Sequence, residues 1–118
     1  MTRKHVFLVF TNANDGLDDE LHEWYSIHVQ EVVDEIDGFV SGQRYELADS
    51  QRPQQDQPPW KYLAVYELDT NDLDEVHRAN QEAVRNRVFT RDEARAVARE
   101  HVAWVYTPVG ERVTRRRP

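Results

Sequence analysis

The chain has 118 residues, 39% of them hydrophobic and 31% charged, which is a globular mixture at the length of one domain. A formal net charge of −7, from 22 acidic against 15 basic side chains, argues against phosphate-backbone binding, so nucleic acid is not an expected partner. With no cysteine, disulfides, thiolate catalysis and Cys-ligated zinc are excluded together.

In chain order, His5 to Thr11 is rich in Val, Phe and Leu and runs into Asn12-Ala13-Asn14-Asp15-Gly16, which predicts a strand and then a loop. The apolar run Val6 to Phe10 is too short for a signal-peptide core or a membrane span, so a cytoplasmic protein without a membrane partner is expected. Asp18, Asp19 and Glu20 suit the positive end of a helix, and Leu21, Trp24, His28, Val32 and Ile36 follow at helical spacing until Gly38. Phe39 to Leu47 reads as a second strand. Ala48 to Pro59, with three prolines among Gln, Asp and Ser, reads as a hairpin loop.

Trp60 to Leu68 predicts a third strand, dense in aromatic and branched residues. Thr70 to Asp72 offer helix caps, and Leu73, Val76, His77, Asn80, Ala83, Val84 and Arg87 mark a second helix to about Val88. Thr90-Arg91-Asp92-Glu93 has the form of a capping box and predicts a short helix to about Arg99. His101 to Tyr106 closes the pattern as a fourth strand. Residues 1–110 form one expected domain, and 111–118, with Arg115-Arg116-Arg117, a solvated basic tail.

The order β-α-β-β-α-β predicts an α+β, ferredoxin-like fold with a four-stranded antiparallel sheet and helices on one face. The other face should then be polar, yet three strands are apolar on both sides. Val6, Leu8 and Phe10 oppose Phe7 and Val9; Tyr62, Ala64, Tyr66 and Leu68 oppose Leu63 and Val65; Val102, Trp104 and Tyr106 oppose Ala103 and Val105. A homodimer that packs two sheets into a closed α+β barrel would bury the second face, and a monomer with a large ligand groove there is the alternative.

The chemistry centres on Trp24-Tyr25-Ser26-Ile27-His28. Trp24, His28 and Val32 share the sheet-facing stripe, so His28 is directed inwards, where imidazole can act as a general acid or base. The other reading is a hydrogen-bonded structural histidine. Candidate catalytic partners are Tyr62, Tyr66 and Arg44, which could hold developing negative charge. Asn12, Trp24, Tyr25, Tyr45 and Trp104 are candidates for binding substrate. His22 turns to another side of the helix, His77 on the second helix reads as a partly exposed helix histidine in preference to a heme ligand, and His5 and His101 are isolated near strand starts, so no metal site is expected.

The segments from Phe10 to His28, containing Trp24-Tyr25-Ser26-Ile27-His28, then Gly38-Phe39-Val40 and Tyr62-Leu63-Ala64-Val65-Tyr66-Glu67, resemble the EthD-like branch of the dimeric α+β barrel superfamily. The resemblance runs to Val109 and implies a dimer, with His28 at the position of a proposed proton shuttle. Gln30 and Asp37 stand where that pattern has proline, which implies a straighter helix past His28.

The expected function is cofactor-independent proton transfer on a small cyclic or aromatic substrate, by isomerisation, dehydration, cyclisation or decarboxylation. A non-catalytic small-molecule-binding protein is a second reading, and a heme- or oxygen-dependent monooxygenase is a third.

Overall fold

The computed structural model describes residues 3–53, 55–86 and 98–117. Strand β1 (Arg3–Ala13) leads through a tight loop into helix α1 (Asp18–Glu35); β2 (Phe39–Glu46) and β3 (Tyr62–Thr70) form a long-looped hairpin; helix α2 (Leu73–Arg85) precedes β4 (Ala98–Tyr106). The strands pair antiparallel in the order β2-β3-β1-β4. The ferredoxin-like arrangement expected from the sequence is present. Among the described residues, no helix is long and apolar enough to cross a membrane.

Strand alternation fixes two faces. Phe7, Val9 and Thr11 of β1 stand beside Tyr66, Ala64 and Tyr62 of β3 and beside Val105, Ala103 and His101 of β4. This is the helix-covered face. Tyr62, Ala64, Tyr66 and Leu68 are all buried there, with Leu21 and Leu68 wholly withdrawn from solvent. Burying an aliphatic side chain of that size contributes about 1.5–3 kcal/mol. Val6, Leu8 and Phe10 lie on the opposite face, next to Val65, Trp104 and Tyr106, and Trp104 is left 60% exposed.

Three acidic residues in its first turn favour α1 electrostatically, although no side chain caps it. Leu21, Trp24, Tyr25, His28 and Val32 form its buried stripe, and the helix continues through Gln30 without a break. Gly42 of β2 allows α1 to come close, because a Cβ there would stand 2.9 Å from both Val29 Cγ1 and Tyr66 Cδ1. Gly38, at φ +100°, turns the chain from α1 into β2 where a side chain would collide with Val76.

Helix α2 begins at Asp72, whose carboxylate accepts from the Glu75 amide at 3.1 Å, while Thr70 Oγ1 accepts from the Asp72 amide at 2.9 Å. The predicted extension to Val88 and the short helix from Thr90 lie outside the described residues. At the far end of that predicted helix, Ala98 and Arg99 belong to β4 instead, where backbone pairing with β1 takes the chain into the sheet.

Candidate functional site

A cavity of about 170 Å³ lies between the sheet and the helices. Its apolar wall comes from Phe7, Val32 and Phe39. The Phe7, Phe39 and Tyr66 rings pack with centroids 5.4 to 6.1 Å apart at tilted or edge-on angles, which makes one rigid wall. Trp24, Tyr25 and His28 come from α1. The Trp24 indole stacks on the His28 imidazole at 4.5 Å and 18°, and the Tyr25 ring meets His28 edge-on at 5.6 Å. Helical spacing of four residues produces the stack, and the pair is held against the sheet by its burial, with His28 8% exposed.

Tyr66 carries a phenol whose pKa is pushed well above its ordinary value, first by burial and then by the neighbouring Tyr25, with which it shares a hydrogen bond. It is therefore a neutral donor throughout the physiological range. Beyond the Tyr25 ring, the Arg44 guanidinium lies 4.6 Å from its centroid and 5.5 Å from that of Tyr62. Burial draws the Arg44 pKa down, and the phenols around it partly oppose this. Arg44 Nη1 donates to His22 Nδ1 at 2.9 Å, which assigns the His22 proton to Nε2. One of its nitrogens, Nη2, is buried without a hydrogen-bond partner among the described residues.

Tyr62 belongs to a separate constellation. Its hydroxyl makes a short hydrogen bond to Asp18, and Lys61 Nζ lies 3.1 Å from the same carboxylate. The Tyr62 hydroxyl, then Lys61, hold the Asp18 carboxyl below its ordinary pKa, while burial and the Asp18 bond raise that of Tyr62.

Of the residues singled out in the sequence, the cavity brings together His28, Tyr66, Trp24 and Tyr25. Arg44 reaches it only through Tyr25, and Tyr62 is turned to Asp18. Asn12 is a clasp: its amide donates to the Pro59 carbonyl at 2.8 Å and its Oδ1 accepts from the Lys61 amide at 2.8 Å, fixing the end of the hairpin loop. Tyr45 and Trp104 stand on the opposite face of the sheet, paired with Leu63 and Leu8, and do not reach the cavity. One residue of strand parity separates them from it.

Thr11, Asn80 and His101 line the cavity, although no spacing in the sequence groups them. The parity of Thr11 with Phe7 and Val9 was the available signal. Among the described residues, no group of three His, Asp or Glu side chains converges to hold a metal ion.

No protein-family model matches the sequence. No curated protein matches it either. Solved structures do match. A DABB family protein with a ferredoxin-like fold from Mesorhizobium loti superposes with a TM-score of 0.61 at 13% identity, over 92% of this chain and 99% of that one. SnoaB, a cofactor-independent oxygenase from Streptomyces nogalater, gives 0.65 at 14% identity over 92% and 96%. A dimeric ferredoxin-like protein of unknown function from Thermobifida fusca gives 0.60 at 12% identity over 90% and 92%. The EthD-like resemblance is a finer assignment than these neighbours carry. At such identities the likeness is one of architecture, and the architecture of this chain is the ferredoxin-like fold.

Proposed function

We propose that the chain is a cofactor-independent enzyme that moves a proton on a small single-ring substrate, with His28 as the acid–base group. The observation that carries this reading is the buried His28 imidazole in the cavity wall, stacked on Trp24 and edged by Tyr25. Cavity size supports a single ring, since roughly 150 Å³ suffices for benzene.

In the proposed step, a ring nitrogen of His28 takes a proton from a carbon next to a carbonyl, and the electron pair of the broken C–H bond delocalises onto oxygen as an enolate. The Trp24 face favours the imidazolium that forms. The Tyr25–Tyr66 pair, hydrogen-bonded to each other, is suited to donate its one remaining phenol proton to the oxyanion, and Arg44 adds positive potential through Tyr25. Return of the proton to another carbon completes an isomerisation; its delivery to a departing hydroxyl completes a dehydration.

The likeness to SnoaB favours a second reading, in which the anion formed by the same proton removal reacts with dioxygen as co-substrate. Oxygen consumption during turnover separates the two. A non-catalytic binding protein would show saturable binding without turnover. The exposed apolar sheet face, with Trp104 60% and Tyr106 58% exposed, supports a homodimer closed sheet to sheet. The test of the main reading is turnover of single-ring lactones and cyclic ketones by the protein and by His28→Ala. The substitution is expected to lower turnover by about a hundred- to ten-thousand-fold, and full activity in the variant removes His28 from the mechanism.

A further inference from the structure

Thr11 is 3% exposed and lines the cavity, and its Oγ1 is buried without a hydrogen-bond partner among the described residues. Buried hydroxyls are nearly always paired, because an unmade hydrogen bond costs the full desolvation of the group. Valine has almost the same shape, suits a strand at least as well, and would match Phe7 and Val9 on this face. Packing therefore gives no reason for a hydroxyl at this position. A partner that enters the cavity does, because Thr11 forms part of its wall and threonine exchanges Oγ1 and Cγ2 between staggered χ1 wells.

The neighbour across the strand pair sharpens the chemistry. Thr11 of β1 stands opposite His101 of β4 on the same face, and both line the cavity. Directly opposed residues bring their side chains within reach of one shared atom. A hydroxyl can donate and accept, as can a neutral imidazole through its two nitrogens. Phe7, Val32, Phe39 and Trp24 supply apolar and aromatic wall, and the other polar groups of the lining are those of Tyr25, His28, Tyr66 and Asn80.

We propose that Thr11, with His101 beside it, anchors an oxygen substituent on the ring, so that the substrates are oxygenated single rings: phenols, cyclic enols or cyclic ketones. This rests on reading the cavity as a substrate site. Thr11 then determines specificity, since a site built to bond a substrate hydroxyl is left with unpaired groups by an analogue that lacks it.

Phenol and toluene are probes of equal ring size that differ in this one group. Calorimetric titration of the full chain is expected to show phenol bound roughly three- to ten-fold more tightly than toluene, the ratio that one net hydrogen bond supplies. Thr11→Val should bring the ratio to about one by weakening phenol alone, and Thr11→Ser should keep the preference. Without ligand, Thr11→Val should melt at or above the wild-type temperature, because it removes a buried unpaired group. A phenol preference that survives in Thr11→Val, or a variant that melts lower, overturns the anchor. Equal binding of the two probes by the wild type also overturns it while leaving the cavity a ligand site; binding of neither overturns both the anchor and the cavity reading.

Discussion

Replacing Gly42 by alanine tests how tightly α1 is seated on the sheet. The new Cβ would lie 2.9 Å from Val29 Cγ1 and 2.9 Å from Tyr66 Cδ1, about half an ångström inside the shortest ordinary contact. Overpacking of this kind costs about 1–3 kcal/mol, and the stiffer unfolded chain returns about 0.4–1 kcal/mol, so a net loss of roughly 1–2 kcal/mol is expected. For a chain of this length that is a fall in Tm of roughly 3–12 °C. Urea unfolding would measure the free energy directly, and Val29→Ala supplies the control. Removing Val29 Cγ1 relieves one of the two collisions, so the double variant should lose less than the sum of the single ones, with a coupling of about 0.5–1 kcal/mol. Strict additivity, or a Gly42→Ala protein as stable as the wild type, would refute the claim that Gly42 sets the distance between α1 and β2.

Three further outcomes follow from the geometry. Asp72→Ala removes the side-chain cap of α2 and should destabilise the protein by about 1 kcal/mol, read from the urea midpoint. Tyr62→Phe removes the first cause of the depressed Asp18 pKa; because a lowered folded-state pKa stabilises above the unfolded value of 3.8 and is lost as pH falls through the folded one, the stability gap between wild type and variant should hold at neutral pH and close in acid. A gap unchanged by acid would show that Asp18 is not the partner that matters. Trp104→Glu places a charge on the exposed sheet face and should convert a dimer to a monomer in analytical ultracentrifugation with little change in the fold of the subunit; a dimer that persists would put the interface elsewhere.

The element order and the inward stripe of α1 were legible because strong periodicity forced them: Leu21, Trp24, His28 and Val32 can face only one way. Two-faced apolarity in β1 and β3 was equally legible. The face of each β4 residue was not, because His101-Val102-Ala103-Trp104-Val105-Tyr106 offers apolar side chains at both parities, and only the pairing of Leu8 with Trp104 decides between them. In β2 the register shifts between Phe39 and Ser41, which sends Arg44 to the helix side and Tyr45 away from it. The role of Asn12 was hidden for a different reason: its partners, Pro59 and the Lys61 amide, are 47 and 49 residues away in sequence. Long-range backbone contacts of this kind leave no local pattern.

The alternation of β1 has a consequence for how such a protein can diversify. Thr11 and Phe10 are adjacent in the chain, yet one borders the cavity and the other the bare face of the sheet. Point substitutions at Phe7, Val9 and Thr11 can therefore explore new ligands while Val6, Leu8 and Phe10 keep the outer surface unchanged, and the reverse also holds. Insertion of a single residue into the same strand would exchange the two sets at once. Substitution is then a mild experiment on this strand, and a change of length is a drastic one.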